Sequence, residues 1–269
     1  YVVEFTEEPA DSRTAFGDKT ENGTYPTFWT AEDKVHVWKD GDYSASSADV
    51  TPSADGRTAK FSIEMTIPTG GGNTVCYNAV TTNKGRLYGS RKEYDIVIPS
   101  SQTPTAASCD SAAQFAFATS GEVGADATSV NLHFKHITAY GKFSIKNLAA
   151  DAGAVTSVSI SASESMTGGF EVYYQESPMR LKATRSATSK IAINTASLDD
   201  IWFACVPVDL SGTTLEIKVV AENGDYTKKI DLTGKTLKFE AGKVSEFSVD
   251  MAGITPPKTA GKFVIGGES

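Results

Sequence analysis

The sequence predicts an all-β chain built as two successive domains, and three observations predict it. Apolar and polar residues alternate with a period of two in short runs along most of the chain, as strands with one buried face require. Helical periodicity is nearly absent. The runs are closely spaced and punctuated by Gly, Pro, Asn and Asp, which points to sandwiches or barrels. With 269 residues, 40% of them hydrophobic, the chain is long enough for two ordinary domains and apolar enough for packed cores.

The stretch that organises the chain is 130–147, V-N-L-H-F-K-H-I-T-A-Y-G-K-F-S-I-K-N. Val130, Leu132 and Phe134 alternate, and Tyr140, Phe143 and Ile145 alternate again after a slip within 136–141. Such a slip moves the apolar set to the other face of an extended run. This change of buried face predicts passage from one β-domain into the next. It sets an N-terminal sandwich at 1–130, a C-terminal sandwich at 131–251 and a tail at 252–269. The strands flanking the boundary should pack into different cores.

In chain order, 1–6 alternates as a first strand, and 7–27, rich in Pro, Asp, Gly and Thr, reads as loop. Within that loop Ser12-Arg13-Thr14-Ala15-Phe16 places an arginine in a polar segment of the kind proteases reach. Strands follow at 34–38, closed by the turn Lys39-Asp40-Gly41-Asp42, at 59–65 and at 75–80. Gly70-Gly71-Gly72 lacks the Lys-Ser/Thr pair of a phosphate loop and reads as a hairpin. Strand 94–98 ends at Pro99, and 100–111, poor in apolar residues, reads as a long surface connection. After 115–118 and the boundary come strands at 155–161, 170–174, 190–193, 201–208, 215–220, 226–232, 237–239 and 244–251. The run 201–208 is the most hydrophobic and should be buried on both faces. Glu222-Asn223-Gly224-Asp225 is the strongest hairpin signal.

Composition narrows the function. Net charge is −8 and the pI near 5.0, unlike the clustered Lys and Arg that a nucleic-acid partner requires. No run approaches the roughly 20 apolar residues of a membrane helix. Cys76, Cys109 and Cys205 have no metal-ligand spacing and read as small buried side chains, with one bridge left open. His133 and His136, three apart on a strand, point to opposite faces and cannot simply share a metal, and His36 stands apart. Asp40 with Asp42, and Asp199 with Asp200, lack the spaced ligands and closing Glu of a calcium loop. There is no Gly-x-Ser-x-Gly turn, no Cys beside a plausible base and no assignable carboxylate pair. Asn22-Gly23-Thr24 fits a glycosylation pattern that matters only in a glycosylating host. No catalytic residue, cofactor or metal is expected, and a binding or structural protein stands ahead of an enzyme.

Several segments, taken in order, carry a family likeness. They are Ser12-Arg13-Thr14-Ala15-Phe16; Phe28-Trp29-Thr30-Ala31-Glu32-Asp33-Lys34-Val35; Ile98-Pro99-Ser100-Ser101-Gln102-Thr103; Asp110 with Phe115-Ala116-Phe117-Ala118; Leu132-His133-Phe134-Lys135-His136-Ile137-Thr138-Ala139; and Phe239-Glu240-Ala241-Gly242-Lys243-Val244. Together they resemble the fimbrillin-like proteins of Bacteroidetes, the type V pilin family, across residues 10–251. The resemblance implies two transthyretin-like (Greek-key) β-sandwiches in tandem. It implies export as a lipoprotein to the outer membrane and cell surface, in keeping with a chain that begins inside a strand without an initiator Met. It implies assembly with other pilus subunits by strand exchange, with host or bacterial surface ligands as further partners. A protease cuts after an arginine, the first strand leaves, and a neighbour's C-terminal strand fills the groove.

On that likeness Arg13, followed by Thr14, is the processing site and 1–6 the strand removed. The donor is either 244–251 or 262–265 in the tail. The tail is short and alternates poorly, which leaves room for a tip, anchor or accessory subunit beside an ordinary stalk pilin. The alternative is a surface carbohydrate-binding lipoprotein in which Trp29, Trp38, Tyr173 and Tyr174 form a sugar platform, since aromatic faces stack on sugars. Exposure of three of these four on one face would favour it.

Overall fold

The computed structural model describes residues 2–7, 15–22, 24–64, 74–81, 86–88 and 93–257. Alternation produces the expected strands. In Val2–Glu7 the side chains of Val3 and Phe5 are buried while Val2 and Glu4 face solvent. Ala59–Glu64 reads buried–exposed throughout, and Thr214–Ala221 buries Leu215, Ile217, Val219 and Ala221. Among the described residues the helical content is one 3-10 turn, Ser111–Ala113. The Glu222-Asn223 turn joins Thr214–Ala221 to Gly224–Asp231 in full antiparallel register, with Gly224 at φ 139°.

The N-terminal sandwich has two sheets. One runs Ser129–Leu132, Val2–Glu7, Ala59–Glu64, Thr51–Pro52. The other runs Lys135–His136, Ala116–Gly124, Thr74–Thr81, Lys34–Lys39, Ser46–Asp49. Val3, Phe5, Phe61 and Leu132 from the first meet Val35, Val37, Tyr77 and Ala118 from the second. The C-terminal sandwich sets a three-stranded sheet, Ile201–Cys205, Ala139–Lys146, Val244–Asp250, against the five strands Ser101–Gln102, Lys190–Ile193, Val155–Ser161, Thr214–Ala221 and Gly224–Asp231. Its core holds Phe143, Ile145, Phe203 and Val249 against Val158, Ile160, Ile191 and Ile217.

A central sheet, Arg180–Ala183, Gly168–Tyr173, Glu93–Ile98, Arg86–Tyr88, takes two strands from each side of residue 131. Its inner face supplies Tyr94, Ile96, Phe170 and Val172 to a third core. That core also contains Trp38 and Phe117 from the N-terminal five-stranded sheet and Tyr140, Trp202 and Ala204 from the three-stranded sheet. Strands of the two halves are therefore hydrogen-bonded to each other, which strand-by-strand reading does not anticipate.

The stretch 130–147 is not one extended run. Ser129–Leu132 belongs to the first-strand sheet, Lys135–His136 to the facing sheet and Ala139–Lys146 to the three-stranded sheet. Nor does the slip mark a strand that changes its buried face. Ala139, Phe143 and Ile145 enter the C-terminal core while Tyr140 enters the central core, so this strand is buried on both faces. Gly141 interrupts the alternation because the ring of Phe203, its cross-strand partner, lies over it; a Cβ there would stand 2.1 Å from that ring.

Residues 100–111 are not simply a surface connection. Ser101–Gln102 pairs in parallel with Lys190–Ile193, and Gln102 is fully buried. Its Nε2 donates to the carbonyls of Ala204 (2.7 Å) and Pro99 (3.0 Å), and its Oε1 accepts from the Ala204 N–H (2.9 Å). One side chain thus satisfies both backbone groups of Ala204 in Ile201–Cys205, an edge strand of the three-stranded sheet.

Candidate functional site

The first strand is held along both edges. It pairs in parallel with Ser129–Leu132, Phe5 opposite Val130, and antiparallel with Ala59–Glu64, Phe5 opposite Phe61. Phe5 stacks on Phe61 (5.2 Å, 10°) and meets Tyr77 of the facing sheet edge-on (5.2 Å, 81°). The Glu4 N–H donates to Thr128 (2.9 Å). Glu4 also pairs with Lys60 at 3.2 Å, but both are exposed and the pair contributes little. Burying each of Val3 and Phe5 is worth about 1.5–3 kcal/mol. Taking the strand away would leave an apolar slot over Tyr77, walled by two strands with unpaired N–H and C=O groups.

Arg13 and Thr14 lie outside the described residues, as does the tail segment 262–265. The other donor candidate, Val244–Asp250, is seated within its own three-stranded sheet, parallel to Ala139–Lys146. Its Val249 is buried and its Phe247 stacks on Phe143 (5.1 Å, 5°), so it could leave only by opening the C-terminal core.

The segment that follows Arg13 is more ordered than a polar loop suggests. Ala15–Phe16 pairs with Thr27–Phe28, and the Gly17 N–H donates to Pro26 (2.7 Å), closing a hairpin. Its root is tied to the N-terminal half: the Trp29 N–H donates to Gly56 (2.9 Å), and the Trp29 ring meets Phe134 edge-on (5.5 Å). Its blade lies on the C-terminal half. Phe16 stacks on Trp202 (5.4 Å, 21°) and meets Tyr140 edge-on (4.8 Å). Tyr25 meets Trp202 edge-on (5.1 Å), and the Lys142 ammonium sits over both Tyr25 (5.7 Å) and Trp202 (5.2 Å). Lys19 pairs with Glu246 at 2.5 Å, and the Tyr25 hydroxyl donates to the same carboxylate (3.1 Å).

These partners perturb each other's ionisation. The Lys19 hydrogen bond holds Glu246 below the ordinary glutamate value, and the same bond raises Lys19. Burial raises Tyr25. A carboxylate with a depressed folded pKa stabilises the fold fully above its unfolded value, and that contribution is lost as pH falls through the folded one. The advantage of the native chain over Glu246→Gln is therefore expected to be present at about pH 7 and to shrink as pH falls below the ordinary glutamate value. Thermal unfolding of both proteins across that range measures it; a constant difference would contradict it.

The remaining singled-out residues are structural. Trp29, Trp38 and Tyr174 are buried at 3%, 1% and 5% exposure, and Tyr173 is half-buried under the Arg180 guanidinium, 3.8 Å from its ring centroid. Three of the four residues of the supposed sugar platform are thus core. His133 is exposed, whereas His136 is buried with its Nδ1 2.6 Å from the Tyr140 hydroxyl. The three cysteines are free thiols, and burial pushes Cys109 and Cys205 well above the usual range, so neither presents a thiolate. Asp199 and Asp200 pair separately with Lys146 (2.6 Å) and Lys142 (3.0 Å). Asp40 accepts from Asn78, and Asp42 accepts from the Lys39 N–H in the turn. Asn22 and Thr24 are exposed at the hairpin tip. The hairpin itself is the element that sequence reading missed. Its signal was three aromatics, Phe16, Tyr25 and Phe28, in a largely polar stretch.

Fold and site together define a protein of two tandem β-sandwiches in which the first strand lies between two others of one N-terminal sheet. The fold recurs in solved structures. One is a candidate cell adhesion protein from Bacteroides ovatus, with a TM-score of 0.56 and 14% identity over 95% of this chain and 94% of that one. Another is a candidate cell adhesion protein from Bacteroides uniformis, with a TM-score of 0.57 and 16% identity over 94% of each chain. The shared fold agrees with the tandem transthyretin-like sandwiches that the fimbrillin-like resemblance implies. No protein-family model matches the chain, and no curated protein does.

Proposed function

We propose that this protein is a structural or adhesive subunit of a cell-surface pilus, assembled by strand exchange after a cut following Arg13. The observation that carries the reading is the position of Val2–Glu7, sandwiched between two strands of one sheet with Val3 and Phe5 buried. An added strand there gains both main-chain hydrogen bonds and side-chain pockets, the general logic of strand addition. The adhesion role assigned to the Bacteroides proteins of the same fold, and the ordered motifs running from Ser12 to Val244, support the same reading. On it, the two units divide within 129–139, the precursor is exported with a lipid anchor to the outer membrane, and 252–269 supplies the donor. Phe263 and Ile265, two residues apart, would take the places of Val3 and Phe5.

Treating the full chain with an Arg-specific protease is expected to give a new N-terminus at Thr14, followed by filaments visible by electron microscopy. An intact Arg13 bond, or a cut product that stays monomeric, would refute the proposal.

A further inference from the structure

We propose that the hairpin 15–28 is a clasp that fixes the two halves of the molecule against each other, and that it stays in place when the first strand leaves. The second clause rests on the cut after Arg13 proposed above; the first does not.

The first strand and the hairpin are neighbours in sequence but are held by different parts of the molecule. Val2–Glu7 pairs with Ala59–Glu64 and Ser129–Leu132 and buries its side chains in the N-terminal core. Among the described residues the hairpin pairs only within itself, as a two-stranded sheet. Phe16 belongs to the central core, not the N-terminal one. Cutting between 13 and 14 would therefore separate two independently anchored elements, leaving Thr14 and Ala15 ahead of Phe16.

The contacts also explain why the hairpin acts as a clasp. Its root, through Trp29, is fixed in the N-terminal sandwich. Its blade touches every strand of the C-terminal three-stranded sheet: Trp202 in Ile201–Cys205, Tyr140 in Ala139–Lys146 and Glu246 in Val244–Asp250. Aromatic stacking and a charged rim secure it, with Phe16 only 8% exposed. Emptying the groove removes none of these contacts. The vacated groove would thus be presented by a molecule whose halves remain in register, so an incoming strand meets a preformed site.

Hydrogen exchange on the full chain tests this in two arms. In the uncut protein, Phe16→Ala is expected to lower protection of the Gly17 and Tyr140 amides by about tenfold or more, leaving amides of Ala59–Glu64 unchanged. Should that variant fail to fold, Tyr25→Phe removes only the hydroxyl and is expected to give a drop of about threefold at the same amides. Unchanged protection at Gly17 and Tyr140 overturns the clasp, whatever happens at Arg13. In the cut native chain, held dilute so that it stays monomeric with the groove empty, amides of Ala59–Glu64 and Ser129–Leu132 should lose protection while Gly17 and Tyr140 keep theirs. Loss at all of them together overturns the second clause. Failure of the protease to cut removes the pilus reading and the clause resting on it, and the first arm still decides the clasp.

Discussion

Replacing Phe5 with alanine is expected to destabilise the intact chain by about 3–5 kcal/mol, at the level of a large core truncation. Phe5 is fully buried, stacked on Phe61 and edge-on to Tyr77, and a shorter side chain leaves a cavity between two sheets that cannot close independently. Undocking of the first strand would cap the measured loss at the docking free energy of Val2–Glu7. Urea denaturation reads the effect directly. A change below about 1 kcal/mol would mean that the strand is held only by its backbone ladder. The sharper expectation compares two states. If the segment before Thr14 is removed and the groove refilled, as the proposed assembly requires, Phe5→Ala should be silent, because the residue has left the molecule. A mutation that matters before processing and not after it is the mark of a temporary occupant.

Gln102→Ala is expected to cost about 2–4 kcal/mol, since it strands the buried N–H and C=O of Ala204 and removes a partner of the half-buried Pro99 carbonyl. Gln102→Glu should fare no better. A carboxylate can accept from the Ala204 N–H but has no proton to give the two carbonyls, and its charge would be buried. Gln102→Leu restores volume without restoring any hydrogen bond. All three variants should therefore fall well below the native protein in thermal unfolding, and a neutral Gln102→Leu would refute the assignment. This expectation needs no assumption about function.

Much of the fold was legible because a strand with one wet face writes its structure in alternation. Val2–Glu7, Ala59–Glu64 and Thr214–Ala221 are of this kind. Strands buried on both faces do not alternate in that way. Ile201–Cys205 was recognised from its unbroken apolar run, but Ala139–Lys146 was misread because Tyr140 and Phe143 serve different cores and Gly141 makes room for a ring contributed from 62 residues further on, at Phe203. Long-range pairing was equally hidden. Nothing local to Glu93–Ile98 says that it lies beside Gly168–Tyr173, and nothing local to Gln102 says that its amide imitates a strand. At the candidate site, the first strand and the arginine after it were visible in the sequence. The hairpin was obscured because Lys19, Glu21 and Asn22 make its tip polar while few of its side chains, Phe16 and Thr27 among them, are buried.

The two walls beside the first strand are chemically unlike, one parallel and one antiparallel to it. A parallel ladder is slanted and evenly spaced; an antiparallel ladder is perpendicular and alternates between narrow and wide pairs. A replacement strand that reproduces both must enter with the same N-to-C sense as Val2–Glu7. Repeated from molecule to molecule, this is a head-to-tail contact without a twofold axis. A fibre built on it has a direction: every subunit faces the same way, one end carries an unfilled groove and the other an unspent strand, and growth and anchorage fall to opposite poles.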